Sequence, residues 1–249
     1  MTVTTEVLEW GRERARAGPW RGDGQVAYLA PLPYDPPPST DFLRRCLDQL
    51  ARRGYSEVIT SALAGAEQRP FLAVGFLPHE QLRFLTHDLA GVGLADVVLR
   101  PAAGHHPLRK ASVADWPAVL DVDAGSFSHF WRLDRGGLEE ALTATPSARF
   151  RIAVGPGPGP GRRVVGYAIT GRAGDQGYLQ RLAVAGPARR SGLGRALALD
   201  GLRWLRRRGV HRAVVNTQFG NDVALALYLQ LGFRVEPSDL AVLHRCLGP

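Results

Sequence analysis

The feature that most constrains the fold is an alternation of strand-like and helix-like segments in the last third of the chain. An apolar strand pattern at residues 178–184 leads into a loop rich in arginine and glycine. A segment with helical apolar spacing follows at 192–208, then a strand at 212–217 and a helix at 222–231. Strands that alternate with helices predict an α/β fold, in which helices cover a sheet.

The rest of the chain adds further segments of both kinds. Strands are predicted at residues 25–32, 58–63, 82–89, 108–111, 149–154, 164–170 and 240–246. Helices are predicted at residues 5–17, 40–53, 67–74, 112–124 and 138–144. The alternating Gly-Pro tract at 155–161 is predicted to be an exposed hairpin loop, because it has no side chains that could pack.

Composition narrows the class of protein. The 249 residues are 45% hydrophobic, as in a globular protein with real cores, and allow one large domain or two small ones. No apolar run reaches the ~18 residues of a membrane span. The charged N-terminus lacks a signal peptide's apolar core, so we expect a cytoplasmic protein. Cys46 and Cys246 lie far apart and give neither a disulfide framework nor a zinc spacing, so we expect no metal.

A partial repeat relates the two ends of the chain. The pattern Leu-x-x-Leu-x-Arg-Arg-Gly occurs at 47–54 and again at 202–209, and a strand follows each copy. A Gly-Phe pair closes a helix in each copy, at 75–76 and 232–233, and a histidine follows eleven residues later. We therefore predict two related modules, with residues 1–100 as the incomplete one, 101–107 as a linker and 108–249 as the complete one.

The loop between the strand at 178–184 and the next helix has the chemistry of a diphosphate site. Gly192 and Gly194 let the backbone approach a phosphate, and the N–H groups at a helix start point outward with the helix dipole behind them. Arg189, Arg190 and Arg195 add formal charge. The net charge of +8 also suits a polyanion, either a nucleotide cofactor or nucleic acid. Taken alone, these residues are equally consistent with a flexible turn before a surface helix.

The residues downstream of this loop complete a longer pattern. Residues 221–233 fit Asn-x-x-Ala-x-x-Leu-Tyr-x-x-x-Gly-Phe, from Asn221 through Tyr228 to Phe233. With the glycine loop one helix and one strand upstream, residues 108–246 resemble the GNAT family of acyl-CoA-dependent N-acyltransferases. The resemblance implies the GNAT fold, a mixed α/β sheet, with residues 1–100 as a truncated, GNAT-like module. Tandem arrangements of this kind are familiar in the superfamily.

The resemblance also implies roles for individual residues. The phosphates of acetyl-CoA would bind to the glycine–arginine loop (residues 189–195), at Arg189, Arg190, Gly192, Leu193, Gly194 and Arg195. The pantetheine arm would pair with Leu182, Ala183 and Val184 and contact Asn221. Tyr228 would be the general acid, since a phenol with a pKa near ~10 can protonate a departing thiolate. A core tyrosine with a satisfied hydroxyl is the alternative for Tyr228.

The general base is not identified by the resemblance. Many members carry a carboxylate near the start of the strand before the glycine loop, where this chain has Tyr-Leu-Gln-Arg at 178–181. The region that usually shapes the acceptor pocket has four titratable residues that are each better explained as solvated or structural: Asp123, His129, Glu139 and Glu140. The aromatic segment (residues 126–131) is predicted to be either the acceptor-side wall or core packing.

The first module lacks the matching chemistry. By ungapped alignment, the prolines at 36–38 and Ser39 fall where residues 191–194 lie in the second module, and Asp35 replaces a basic residue. Phe71 replaces Tyr228. Proline has no N–H, so such a loop cannot hold a diphosphate. We predict a non-catalytic module that packs against, or helps to enclose, the acceptor side.

Three functions are consistent with these patterns. The first is an N-acetyltransferase that acts on an amine of a small molecule, a protein N-terminus or a lysine. The second is a non-catalytic acyl-CoA sensor or scaffold, which the missing carboxylate motivates. The third, nucleic-acid binding, is disfavoured because most of its arginines lie on a helix with an apolar face, with Arg212 just beyond it: Arg203, Arg206, Arg207, Arg208 and Arg212. The acceptor, the length of the acyl group and the choice between monomer and homodimer are left open.

Overall fold

The computed structural model describes residues 6–32, 35–89, 106–157 and 159–248. Most of the predicted linker at 101–107 lies outside these ranges. The helices are α1 (Thr40–Arg52), α2 (Gly65–Ala73), α3 (Trp116–Ala124), α4 (Arg135–Thr143), α5 (Leu193–Arg207) and α6 (Asp222–Gln230). The first strands are β1 (Glu6–Trp10), β2 (Glu13–Pro19), β3 (Val26–Pro31), β4 (Glu57–Thr60), β5 (Leu63–Ala64), β6 (Leu77–Asp88) and β7 (Leu108–Lys110). The others are β8 (Ser147–Gly157), β9 (Gly159–Ala173), β10 (Gln176–Val184), β11 (Arg212–Gln218), β12 (Arg234–Val235) and β13 (Leu240–Cys246).

The first compact unit consists of Met1–Phe84, Asn216–Asn221 and Glu236–Pro249. Its strands follow the order β1-β2-β3-β4-β13-β6, in which only the pair β3–β4 is parallel. The N-cap Ser39 starts α1 by accepting a hydrogen bond from the Phe42 N–H at 3.1 Å. The apolar face of α1 packs on the sheet in a core that includes Leu29, Leu43, Leu47, Leu50, Val58, Phe71 and Phe76.

The second compact unit consists of Leu85–Val215 and Asp222–Val235. Strands β7, β8, β9 and β10 form an antiparallel meander, and β11 joins β10 in parallel. Tyr167 and Ile169 of β9 face the apolar side chains of α3 and α4, whereas Ala168 belongs to the cluster around α5. Helices therefore cover both faces of the second unit's sheet, which confirms the α/β prediction and leaves the strand ends free for a site.

The strand that follows each repeat copy contacts the Gly-Phe turn of the other copy. In the second unit, the ring of His87 from β6 lies 5.2 Å from that of Phe233, in the Gly-Phe turn after α6. In the first unit, Arg245 of β13 lies beside Gly75 and donates to the Val74 carbonyl, in the turn after α2. Each turn therefore packs on a strand that follows the other copy in the sequence. The compact units therefore do not follow the linear division at 101–107: residues 77–84 of β6 belong to the first unit, and residues 85–88 belong to the second.

The helix predicted at residues 5–17 is wrong. Strands β1 and β2 form an antiparallel hairpin there, with Trp10 opposite Glu13 across the turn. Glutamates and arginines occur at spacings that also suit a helix, so the charge pattern does not separate the two structures. The buried residues show the strand period: Ala15 and Ala17 of β2 are both fully buried.

The Gly-Pro tract at 155–161 is also not the loop that the composition predicts. Strands β8 and β9 remain paired beyond residue 154, with Gly155 opposite Arg163 and Pro156 opposite Arg162. Proline is compatible with extended backbone. It lacks only the N–H group that would donate a hydrogen bond to the neighbouring strand. The tract therefore lengthens the hairpin instead of interrupting it.

We expect Asp115→Asn to destabilise the fold by about 1–2 kcal/mol at pH 7, because this carboxylate caps the start of the α3 region. Asp115 accepts hydrogen bonds from Arg109 at 2.6 and 2.8 Å and from the Ser112 N–H at 2.8 Å. The Arg109 bond is the main cause that holds the pKa of Asp115 well below its ordinary value. The stability that Asp115 contributes is therefore present above about pH 4 and is lost as the pH falls further.

Thermal unfolding at pH 7 and pH 3 measures this effect. The difference in stability between Asp115→Asn and the unmodified protein at pH 7 should become smaller at pH 3 without vanishing, because the lowered pKa keeps Asp115 charged in the folded protein. The control is Asp121→Asn, which removes an exposed carboxylate from the same helix. Equal losses of stability in both variants at pH 7 would contradict the assignment.

Candidate active site

The glycine–arginine loop has the backbone of an anion site. Arg190 and Gly192 have φ of +64° and +81°, so two left-handed residues flank Ser191, whose hydroxyl donates to the Ala188 carbonyl at 2.8 Å. The first helical bond of α5 runs from the Ala196 N–H to the Gly192 carbonyl at 3.0 Å. The N–H groups of residues 193–195 precede that bond and have no acceptor within the helix. The loop and the helix start thus provide the amides that bind a phosphate.

The absence of a side chain at Gly194 is explained better by a ligand than by packing within the protein. A Cβ built at this position would lie 3.5 Å from Leu227 and 3.8 Å from Val184, which are ordinary contact distances. Neighbouring protein atoms therefore do not require a glycine here. A group that approaches the backbone from outside would require one. The contact with Leu227 also shows that α6 packs beside the first turn of α5.

Beyond residue 178, the β11 side of strand β10 pairs with no other strand in the described part of the chain, which leaves a strand edge next to this loop. Its parallel pairing with β11 covers only residues 176–178, opposite 212–214. Leu182, Ala183 and Val184 pair with β9 on their other side. The Val184 carbonyl accepts from Arg189 Nε at 3.0 Å and from the Ser126 hydroxyl at 3.4 Å. The structure therefore brings the strand residues 182–184 next to Arg189 of the loop.

Tyr228 lies in α6 and is 6% exposed. Its ring packs against Phe233, with centroids 5.6 Å apart, in the core beneath α5 and α6. Burial raises the pKa of Tyr228 to about 12, so the phenol keeps its proton at neutral pH. Asn221 is exposed and directly precedes α6. The roles of Tyr228 and Asn221 stay predictions.

Asp123 is a structural acceptor in the region that the sequence associates with the acceptor. Its carboxylate is fully buried and accepts from the Tyr167 hydroxyl at 2.5 Å, from Arg181 Nε at 2.8 Å and from the Leu133 N–H at 2.7 Å. Burial is the main cause that raises the pKa of Tyr167, so Tyr167 acts as a donor to Asp123. A carboxylate held by three donors is a poor general base.

The other titratable residues of this region lie at the surface. His129, in a short 3-10 helix within the aromatic segment, is exposed. Glu139 and Glu140 are exposed on α4, where Glu139 lies 3.6 Å from Arg135. The general base stays unassigned.

Sequence reasoning did not identify Arg181 as part of a buried network. Its guanidinium carbon lies 3.5 Å from the centroid of the Phe127 ring, and Nη2 donates to the Trp131 carbonyl at 2.6 Å. The available signal is a single charged residue, Arg181, in the strand pattern at 178–184. Nothing local in the sequence identifies Asp123 as its partner, because 58 residues separate them.

Sequence comparison finds acetyltransferases that are similar to this chain. Residues 116–233 match the Acetyltransferase (GNAT) family. The chain is 28% identical over 209 residues to the mycothiol acetyltransferase of Amycolatopsis mediterranei (strain U-32), which covers 80% of this chain and 68% of that protein. It is 29% identical over 197 residues to the mycothiol acetyltransferase of Pseudarthrobacter chlorophenolicus, which covers 73% of this chain and 58% of that protein. The matches thus leave at least about a third of each relative outside the alignment.

Structural comparison confirms the fold. A tandem GNAT protein from the clavulanic acid biosynthesis pathway superimposes with a TM-score of 0.73 at 15% identity, over 100% of this chain and 84% of that chain. A GCN5-related N-acetyltransferase from Kribbella flavida gives a TM-score of 0.60 at 12% identity, over 96% of this chain and 89% of that chain. Within the described ranges, no group of three or more His, Cys, Asp and Glu side chains is placed to hold a metal ion. No helix there is long and apolar enough to cross a bilayer.

Proposed function

Since residues 116–233 are an acetyltransferase domain of the GNAT family, we propose that this chain transfers the acetyl group of acetyl-CoA to an amine. The observation that carries the proposal is the start of α5, where two left-handed residues and the first amides of the helix form an anion site beside a free strand edge. Helix N-termini bind phosphate through these amides and through the helix dipole.

In this proposal the two parts of the donor bind to two adjoining elements. The amides of residues 192–195 hold the diphosphate, and Arg189, Arg190 and Arg195 add charge around it. The free edge of Leu182–Val184 pairs with the pantetheine arm. Arg189 donates to Val184 at 3.0 Å in this structure, so it must release that carbonyl when the arm binds.

The reaction requires one bond to form and one to break. Acetyl-CoA supplies an activated acetyl thioester. The neutral amine nitrogen bonds to the acetyl carbon, the carbon–sulfur bond breaks, and the thiolate takes the proton of Tyr228. The amine proton leaves to water or to a base. Tyr228 keeps its proton at the pH where amines lose theirs, as a general acid must, although its raised pKa makes the proton transfer less favourable.

The charges around the aromatic segment favour an acceptor that is not a polycation. Residues 125–133 contain no Asp or Glu, and Asp123 is buried in its own network. Of the exposed carboxylates that follow, Asp134 caps α4, Glu139 lies 3.6 Å from Arg135, and Glu140 is left. A lysine-rich tail or an aminoglycoside would need exposed carboxylates for favourable contacts. We therefore propose a small molecule with one reactive amine as the acceptor. The two relatives compared above are named mycothiol acetyltransferase, and this name supports the proposal of a small-molecule acceptor.

The first unit supports the proposal of a tandem arrangement with a degenerate module. At the start of α1, the Glu13 carboxylate accepts from the Ser39 N–H at 2.5 Å and from the Ser39 hydroxyl at 2.8 Å. A carboxylate thus occupies the position at the helix start where a phosphate would bind. Phe71 is fully buried and has no hydroxyl to act as an acid. We propose that the N-terminal module (residues 1–100) has a structural role only.

The degenerate module predicts that one chain binds one molecule of acetyl-CoA. Isothermal titration calorimetry measures the stoichiometry directly. Two equivalent sites per chain would contradict the structural role of the first unit. A Glu13→Gln variant serves as control and should keep a single site, because the neighbouring prolines still lack the N–H groups that a phosphate needs.

The test of the proposed function is acetyl-CoA-dependent release of free thiol in the presence of a panel of amines. We expect thiol release that depends on one class of small-molecule amine. Binding of acetyl-CoA without release for any amine would instead support an acyl-CoA sensor or scaffold. A cytoplasmic location and the lack of a nucleic-acid partner remain predictions from the sequence.

A further inference from the structure

We propose that Arg181 is a positioning residue that holds the aromatic segment in the conformation that admits the amine. This inference rests on the proposed function, because it assigns the aromatic segment to the acceptor side. Arg181 does not contact the reacting atoms in this proposal. It acts through Phe127 and Trp131, which lie near the start and at the end of the segment.

The contacts of Arg181 connect strand β10 to both parts of the segment. The guanidinium lies over the Phe127 ring at 3.5 Å, and Nη2 donates to the Trp131 carbonyl at 2.6 Å. Nε donates to Asp123 at 2.8 Å. Asp123 in turn accepts the Leu133 N–H at 2.7 Å, so the same network also fixes the chain just after the segment.

Burial makes this network costly to disrupt. The side chains of Arg181 and Asp123 are 10% and 0% exposed. Two charges removed from water to this degree are tolerated only when their hydrogen bonds are satisfied, and the loss of one partner leaves an unpaired buried charge. The segment is therefore held by a network with few alternative arrangements.

Arginine is required here because a single planar group makes all three contacts. A lysine has the same charge, but it cannot donate in two fixed directions and also stack on an aromatic ring. Arg181→Lys therefore keeps a cation near Asp123 while it removes the connection to the segment. The variant separates the charge of residue 181 from its positioning role.

Tyr167 provides the matched control. It donates to the same carboxylate at 2.5 Å, but it lies on β9 and packs in the core under α3 and α4. Tyr167→Phe removes one hydrogen bond from Asp123 and leaves the Phe127 and Trp131 contacts of Arg181 in place. Both variants should therefore lose thermal stability. Only Arg181→Lys should also lose the correct position of the aromatic segment.

The first measurement is steady-state kinetics with an accepted amine. We expect Arg181→Lys to raise the KM for the amine about tenfold, as for the loss of one charge-assisted hydrogen bond, with kcat and the acetyl-CoA affinity changed less than about threefold. Tyr167→Phe should leave both KM values nearly unchanged. An equal rise in the amine KM for both variants, or a matching loss of acetyl-CoA affinity in Arg181→Lys, would overturn the proposal.

The second measurement does not depend on turnover. In hydrogen exchange, the amides of residues 126–132 should exchange about tenfold faster in Arg181→Lys than in Tyr167→Phe, while those of α5 stay the same. Unchanged exchange across the aromatic segment would overturn the proposal even if the protein shows no activity. If the unmodified protein shows neither turnover nor acetyl-CoA binding, the proposed function is refuted, and this outcome is independent of the hydrogen-exchange result. If Arg181→Lys does not fold, Phe127→Leu, which removes only the stacking contact, replaces it in the hydrogen-exchange measurement alone, because Phe127 itself belongs to the proposed acceptor wall.

Discussion

Replacing Gly192 by alanine should weaken acetyl-CoA binding at least about tenfold, because a hydrogen bond to a charged group contributes ~1.5–3 kcal/mol and the substitution misplaces the amides that make such bonds. Gly192 is the N-cap of α5 at a φ of +81°. An L-residue in this conformation costs about 1–2 kcal/mol, so the backbone relaxes and the loop loses its shape. Titration calorimetry with acetyl-CoA measures the change.

Gly209→Ala is the control for this prediction. Gly209 follows the other end of the same helix at a φ of +73°, and a Cβ there would meet nothing within 4 Å. The strain in the two variants is similar, so both should lose similar amounts of thermal stability. Only Gly192→Ala should lose donor affinity. Equal donor affinity in the two variants would contradict the assignment of the glycine–arginine loop to the phosphates.

Replacing Tyr228 by phenylalanine should lower kcat about a hundredfold or more while acetyl-CoA still binds, because general acid catalysis contributes ~10²–10⁴-fold. The ring keeps its packing against Phe233, so the fold should be retained. Rapid measurement of thiol release at saturating acetyl-CoA gives kcat. Tyr55→Phe, a similar change in the core of the first unit, should leave kcat unaltered.

The pH dependence of kcat gives a second test of Tyr228. An acid works in its protonated form, so its activity is lost as the pH rises through its pKa. Burial raises the pKa of Tyr228 to about 12, so the rate should not fall on this account below about pH 10. A falling limb between pH 8 and 10 that disappears in Tyr228→Phe would contradict the raised pKa.

Short-range patterns in the sequence predicted the local elements of the site. The spacing of apolar residues placed α5 and α6, and two glycines after a strand placed the glycine–arginine loop, because helix periodicity and backbone freedom are local properties. The charged residues near the N-terminus fit both a helix and a hairpin. The hairpin forms because Ala15 and Ala17 are buried against the rest of the unit, and a local sequence pattern does not show that burial.

Long-range contacts could not be predicted in the same way. The division of β6 between the two compact units depends on tertiary contacts such as that of His87 with Phe233, and no local pattern in the strand indicates it. The network around Arg181 joins residues that are 58 positions apart in the chain. Taken alone, Arg181 and Asp123 would each be expected to lie at the surface in contact with water. Such features follow from tertiary packing, and a single sequence does not encode them in a short window.

The most direct test of the central claim is mass spectrometry of the amine after incubation with acetyl-CoA that carries an isotope label in the acetyl group. We predict a labelled N-acetyl product that requires the protein and that Gly192→Ala reduces strongly at low acetyl-CoA concentration, whereas Gly209→Ala does not. Labelled acetyl-CoA that binds to the protein and is recovered intact with every amine tested would contradict acetyl transfer.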